Sequence, residues 1–355
     1  MISSLFYKIF PTPEFLTMHA TGLDISDEAV RTISLKKGET GLEIESFREI
    51  PLTDGIISSG EIKNPEKLRS VFRSLNKEQG IIFVRVSLPE EKAYIVRVKA
   101  PVTSTDEIRG NLELQLEEQV PIPVEEAVFD YDIIAKHEDN FEVALSVLPR
   151  SVVTSYLNLF DGTGIIPLSF EIESQAIAKC VIPRGEMGTS MIIDMEQKKM
   201  SMSIVSDGIV RFTSSFSMGS STLNEAIAKN LKIDIKDADV IRTTTGISAK
   251  ENDQGLFVAM VPTLAIMRDE INRHFIYWHT HEDQYGKDHP KIEQLFLCGS
   301  GAATPGLADH FAVGLKVPIK LANVMANVNP LEKYIPDIKY VESFKYTTAI
   351  GLALK

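Results

Sequence analysis

The 355-residue chain is poor in cysteine, in tryptophan and in positive charge. It carries two cysteines, Cys180 and Cys298, far apart and in no CxxC context. That excludes a disulfide framework and a cysteine-rich zinc site, and it fits a reducing cytoplasm. Its 37 Lys and Arg are outnumbered by 49 Asp and Glu, a formal charge of −12. Nucleic acid is therefore not an expected partner, because phosphate affinity is mostly electrostatic. Long apolar runs are missing as well: the stretches at 259–267 and 347–354 fall short of the ~18 residues that a spanning helix needs. The N-terminal MISSLFYKIFPTPEF lacks the charged start, long apolar core and cleavage site of a signal peptide. Leu5, Phe6, Ile9 and Phe10, followed by Pro11 and Pro13, read as a short apolar turn packed against the body of the protein. A partner or membrane-surface contact is the alternative. No G-x-S-x-G elbow supports Ser-His-Asp catalysis. His274, His279 and His281, close to Trp278, read as packing or capping residues rather than a metal site.

What is present is an ordinary globular composition, 44% hydrophobic and 24% charged, long enough for two or three packing units. TGLDI, VRTISLKKG and LEIESFREI are three β-branched runs joined by short polar turns, so they predict an antiparallel meander. Asn64-Pro65 opens a helix with Leu68, Val71, Phe72 and Leu75 on its apolar face, and Gly80 ends it. IIFVRVSLP then reads as a buried strand. Residues 93–160 are a compact β-α-β-β-α unit: a half-exposed strand, a helix carrying Ile108, Leu112, Leu116 and Val120, a hairpin around 137–140, and a helix capped by Ser151. A strand and helix follow in IIPLSFEIESQAIAKC. SMIIDMEQ, KMSMSIVSD and IVRFTSSF then repeat the first meander, with Asp24 and Asp194 in equivalent places. That duplication predicts two related lobes. Helices are expected at 221–231, 235–242 and 262–281, then a strand, the Gly-rich turn GSGAATPG and a helix, and finally a small-residue helix in YTTAIGLAL.

Two such lobes would face their Asp-bearing strand ends across a cleft, where β-turn N–H groups hold phosphates and the carboxylates hold hydrated Mg²⁺. Here the sequence resembles the actin-like ATPase superfamily and, within it, the PilM family of type IV pilus assembly proteins, related to FtsA. The resemblance runs over nearly the whole chain: GLDIS, RVSLPEEKAYIVRVKAP, LQLEEQVPIPVEEAVFDYDII, IIPLSFEIESQAIA, FLCGSGAATPGLADHF and AIGLALK. It implies an α/β, two-lobed actin-like fold with an inserted FtsA/PilM-type subdomain. The expected division is a tail (1–19), lobe 1 (20–92 and 161–185), the insert (93–160) and lobe 2 (186–355), whose helical part spans about 213–290.

The resemblance also implies ATP with Mg²⁺ as cofactor. Asp24 and Asp194 match the two phosphate-loop aspartates, serving catalysis and Mg²⁺, and Glu173 matches the residue that positions the attacking water. Ser26, Gly219, Asp239, Arg242, Gly299, Ser300 and Gly301 match the nucleotide-binding positions. Two departures stand out. Ser26 replaces the first loop's glycine, with Asp27 and Glu28 beside it, and Glu196 replaces the glycine of the second loop. Bulk and negative charge there predict a degenerate nucleotide site and no enzyme activity. The expected role is a cytoplasmic scaffold on the inner face of the cytoplasmic membrane, binding the N-terminal tail of a PilN-like bitopic protein near Tyr94, Val96, Val120 and Ile122. Other pilus-platform or motor proteins, or a homo-oligomer, are further expected partners. The alternatives are an active ATP-dependent switch and an FtsA-like membrane-tethered filament.

Overall fold

A computed structural model describes residues 19–101, 105–247, 254–282, 288–315, 317–330 and 333–354. The expected apolar turn at the N-terminus lies outside the described residues. The first meander is β1 (Thr21–Ile25), β2 (Ala29–Lys37) and β3 (Leu42–Pro51). A small hairpin, β4 (Ile57–Ser58) and β5 (Glu61–Ile62), follows it. Helix α1 (Pro65–Gln79) starts where Asn64 accepts a hydrogen bond from the Lys67 N–H, and it ends at Gly80 with φ 66°, the left-handed closure that glycine favours. Its buried residues Leu68, Phe72 and Leu75 press on the sheet that β6 (Phe83–Leu88) joins parallel to β1.

The insert comprises β7 (Tyr94–Pro101), α2 (Thr105–Gln119), β8 (Ala127–Lys136) and β9 (Asn140–Pro149). Its strands lie in the order β7-β9-β8. Ile108, Leu112, Leu116 and Val120 fill a separate core against Val143, Leu145 and Val147. The next helix, α3 (Arg150–Leu157), starts after Pro149 with no side-chain cap, so Ser151 does not cap it. Tyr156, Leu159 and Phe160 join the core of the first sheet, where Phe160 stacks on Phe72 at 5.0 Å. The end of the stretch expected in the insert therefore packs with the first lobe. Strand β10 (Ile166–Ile172) and helix α4 (Glu173–Val181) complete that lobe.

The second meander is β11 (Thr189–Met195), β12 (Met200–Ser206) and β13 (Ile209–Phe216). Three helices follow: α5 (Ser220–Leu231), α6 (Ile235–Thr244) and α7 (Gln254–Thr280). Helix α7 begins eight residues before the expected start at Pro262, which it carries inside. The buried stripe Leu256, Met260, Leu264, Met267 and Ile271 runs through that proline, and tertiary packing overrides its local penalty. Then come β14 (Gln294–Cys298), α8 (Leu307–Ala312), β15 (Ile319–Leu321), α9 (Tyr340–Ser343) and α10 (Thr347–Ala353).

The two sheets have one plan. The orders are β10-β6-β1-β2-β3 and β15-β14-β11-β12-β13, each with an antiparallel meander and two parallel strands added beside its first strand. Helix α10 returns from the second half to the first, against β1 and α4. Glycine is required at that crossing: a Cβ on Gly22 would lie 1.9 Å from the Ala349 carbonyl oxygen, and one on Gly351 would lie 1.8 Å from that of Ala176.

Candidate functional site

The equivalent first strands, β1 and β11, end at the cleft between the lobes. Asp24 and Asp194 sit one residue from those ends, both buried, and Glu173 is the first residue of α4. The three carboxyls share one electrostatic environment: burial raises the carboxyl pKa of both Glu173 and Asp194, and nearby carboxylates including Asp24 add to it. Asp24 Oδ1 accepts from Ser87 Oγ at 3.0 Å. Cys298 Sγ donates to Asp194 Oδ1 at 3.6 Å.

Each turn after these strands has several of its N–H donors already engaged. In the first, the N–H groups of Glu28 and Ala29 donate to Ser26 Oγ at 3.4 and 3.3 Å, and the Ser26 N–H donates to Ala29 O. In the second, the N–H groups of Gln197 and Lys198 both donate to Glu28 Oε1, the latter at 3.1 Å. Glu28 belongs to the other lobe. Asp27 accepts from the Ser59 and Gly60 N–H groups at 2.6 and 3.1 Å. All three loop carboxylates border one small cavity of about 180 Å³, but Asp27 is spent on the β4–β5 turn, whereas Glu28 and Glu196 both lie beside Arg31.

Behind the turns lies Arg31 on β2, only 1% exposed. Its guanidinium is 3.0 Å from Glu49, 3.3 Å from Glu28, 3.6 Å from Glu196 and 3.7 Å from Asp24. Lys199 is committed in the same way, 2.5 Å from Glu173 and 3.2 Å from Glu91, and Lys198 pairs with Asp54 at 2.5 Å. Burial, and then Glu196, push the Asp24 carboxyl up to about 6 and that of Glu28 to about 7. Burial also lifts Glu90 to about 7, and it raises Glu173 and Asp194 well above the ordinary carboxyl range. Burial disfavours the Lys199 ammonium, yet Glu173, Glu91 and Glu196 hold its pKa well above normal.

The other sequence-predicted residues lie around the second lobe's side of the cleft. A Cβ on Gly219 would come within 2.4 Å of the Glu196 and Gln197 carbonyl oxygens, and one on Gly299, at φ 84°, within 2.4 Å of Asp194 Oδ1. A Cβ on Gly301 would meet Met195. These glycines let the protein's own strand and turn approach closely. Ser300 opens the short turn after Gly299. Arg242 is buried, donating to Asn224 at 2.7 Å, to Asp239 at 2.7 Å and to Thr304 Oγ1. The four candidate partner residues lie elsewhere: Val120 is inside the insert's core, with Tyr94, Val96 and Ile122 packed against it. A groove of about 490 Å³ lies on the insert's other side, lined by Val128–Asp132 of β8 and Ser169–Ile172 of β10, with Gln175 and Lys179 of α4. Both strands are sheet edges. Sequence reasoning missed the centrality of Arg31 and the roles of Glu49 and Glu91. The available signal was an arginine inside the apolar run that forms β2.

The family model for the type IV pilus assembly protein PilM matches residues 22–355. The chain belongs to the PilM family. Among solved structures, the PilM–PilN type IV pilus biogenesis complex matches with a TM-score of 0.76 at 17% identity, covering 95% of this chain and 98% of that one. EutJ, an ethanolamine utilization protein from Carboxydothermus hydrogenoformans, follows at 0.56 and 12% identity, over 97% and 91% of the chains. MreB5 of Spiroplasma citri bound to ADP matches at 0.53 and 12%, over 89% and 94%. The fold is thus that of the actin-like ATPases, carried by a family of pilus assembly proteins. Among the described residues, no helix is long and apolar enough to cross a membrane, and no group of three or more His, Cys, Asp or Glu is placed to hold a metal ion.

Proposed function

We propose that the protein is an adaptor of a type IV pilus inner-membrane assembly platform, working at the membrane's cytoplasmic face. It would bind the cytoplasmic N-terminal tail of a PilN-like membrane protein, and its nucleotide cleft would take no ATP. One observation carries the second half of this reading: the donors that would face a triphosphate are spent on the protein's own oxygens. Arg31 is ringed by four carboxylates, Lys199 by two, and the N–H groups of Glu28, Ala29, Gln197 and Lys198 in the two turns are engaged. ATP brings several further negative charges into this setting, each repelled by about 4 kcal/mol per like charge at ~4 Å and an effective dielectric of 20. Residues fitted to Mg-ATP would leave the amides open and the glycines facing the ligand; those present do neither. Calorimetric titration with Mg-ATP and Mg-ADP tests this, and low-micromolar binding would sink it.

The partner half rests on family membership and on the PilM–PilN complex matching almost the full chain. The groove between the edges of β8 and β10 suits an extended tail, because an unpaired edge offers main-chain hydrogen bonds and the neighbouring pockets read side chains. A pull-down with such a tail peptide should succeed with the wild type. Removal of Ala93–Pro149 should abolish it, and retained binding would count against the reading. The convergence of Asp24, Glu173 and Asp194 favours a second reading, an active ATP-dependent switch. A phosphate-release assay on wild type and Asp194→Ala decides between them, since equal background rates dismiss catalysis.

A further inference from the structure

The turn between β11 and β12 is built as an anion site. Its carbonyls are anchored from behind, since the Ser220 N–H donates to Glu196 O at 2.8 Å and the Ser221 N–H to Gln197 O at 2.9 Å. The Glu196 N–H closes the turn on Lys199 O at 2.9 Å. Successive N–H groups of Gln197 and Lys198 are thereby left pointing into the cleft, the concave donor pair that binds anions in many proteins. The anion they hold is Glu28 Oε1. The other carboxylate oxygen, Oε2, lies 3.3 Å from the Arg31 guanidinium. Glu28 is itself held on both sides of its Cα: its N–H donates to Ser26 Oγ at 3.4 Å, and its carbonyl accepts from the Leu52 N–H at 2.7 Å. At 7% exposure it is a fixed, buried group rather than a surface side chain caught in passing.

We propose that Glu28 is a tethered stand-in for a phosphate, a latch by which the first lobe supplies the anion that holds the second lobe closed. The proposal rests on the reading that the cleft takes no nucleotide, and it goes further by making closure a property of the chain rather than of a ligand. A carboxylate offers the two oxygens that such a site needs, and charge-assisted hydrogen bonds to it are about twice as strong as neutral ones. Because the group is covalently attached, no ligand concentration governs it. Four neighbouring cross-lobe pairs act in the same sense: Arg31–Glu196, Lys199–Glu91, Lys199–Glu173 and Lys198–Asp54. The lobes that nucleotide gates in an actin-like ATPase are here closed without it.

Amide hydrogen exchange on the full-length protein tests the latch directly, because the reporting protons are its hydrogen bonds. At pH 8 Glu28 is ionised, because burial raises its carboxyl only to about 7. At that pH, exchange at Gln197 and Lys198 in Glu28→Ala should rise roughly tenfold or more over wild type, and small-angle scattering should show a larger radius of gyration. Sodium acetate or inorganic phosphate, added to the variant, should refill the vacated donors and restore protection at those two amides. Should Glu28→Ala not fold, Glu28→Asp carries the same test, since its carboxylate falls one methylene short. Unchanged exchange and scattering in a folded variant overturn the proposal. Mg-ATP added to the wild type separates the two readings. Binding with both amides still protected by Glu28 overturns the empty-cleft reading alone, whereas displacement of Glu28 by nucleotide overturns both.

Discussion

Replacing Arg31 with methionine removes the cation at the centre of the cleft while nearly conserving its volume. At separations of 3.0–3.7 Å, each of its four ion pairs interacts by roughly 5 kcal/mol at an effective dielectric of about 20. Most of that offsets the cost of taking the guanidinium out of water. The exposed consequence of the substitution is different: four carboxylates are left facing one another with Arg31 gone. Removing one partner of a buried pair costs about 3–5 kcal/mol, a large part of the ~5–15 kcal/mol that holds a typical domain folded. Glu28 and Asp24 already bind protons up to about 7 and about 6, so without Arg31 they would stay protonated to still higher pH. Each further step of one pH in pKa is worth about 1.36 kcal/mol. The loss should therefore be largest at pH 8 and about 1–2 kcal/mol smaller at pH 6, where the carboxyls escape by protonation. Urea unfolding of wild type and Arg31→Met at both pH values measures this. An unchanged midpoint at pH 8, or an equal loss at both values, would refute the argument. Arg31→Lys keeps the charge without the planar fork and should fall in between.

Three other outcomes follow from the same structure. Wild-type stability should fall as pH rises from about 4.5 to about 7, because Glu28 and Glu90 bind more protons folded than unfolded across that window; the rise of Glu28 from 4.5 to about 7 alone corresponds to roughly 3 kcal/mol, and a flat urea midpoint between pH 5 and pH 8 would contradict it. Gly351→Ala should destabilise by about 1–3 kcal/mol or more through overpacking, since its Cβ would press on the Ala176 carbonyl, and thermal unfolding reads the loss. Leu112→Ala should cost about 2–5 kcal/mol, with hydrogen exchange faster in 94–149 and unchanged in the two large sheets, because Leu112 packs only in the insert's own cluster.

Much of the fold was legible from the chain. Period-two alternation and short polar turns placed both meanders, and Asn64 and Gly80 bounded α1 because capping is a local interaction of neighbouring residues. The duplication was legible too, since equivalent apolar strands ending in aspartate repeat. Two boundaries were not. Helix α7 runs through Pro262 because a buried stripe outweighs the local penalty of proline, and Tyr156 to Phe160 pack on the first sheet because Phe72, distant in sequence, waits there. The start of a helix inside a long apolar run, and the owner of a short one, are tertiary decisions.

The candidate site divides along the same line. The sequence alone determined that two aspartates end equivalent strands, that a serine and a glutamate stand where glycines would serve phosphate, and that the loops carry excess negative charge. It counted Asp27, Glu28 and Glu196 as three equal repulsions. Only the tertiary structure distinguished them: Asp27 binds the β4–β5 turn, Glu196 faces Arg31, and Glu28 fills the donors of a turn 169 residues further along. The physical reason is that charge is a property of a residue, whereas its sign of effect belongs to what surrounds it. A carboxylate in open solvent near a phosphate loop repels; the same carboxylate, buried against two amides and a guanidinium, holds the lobes together.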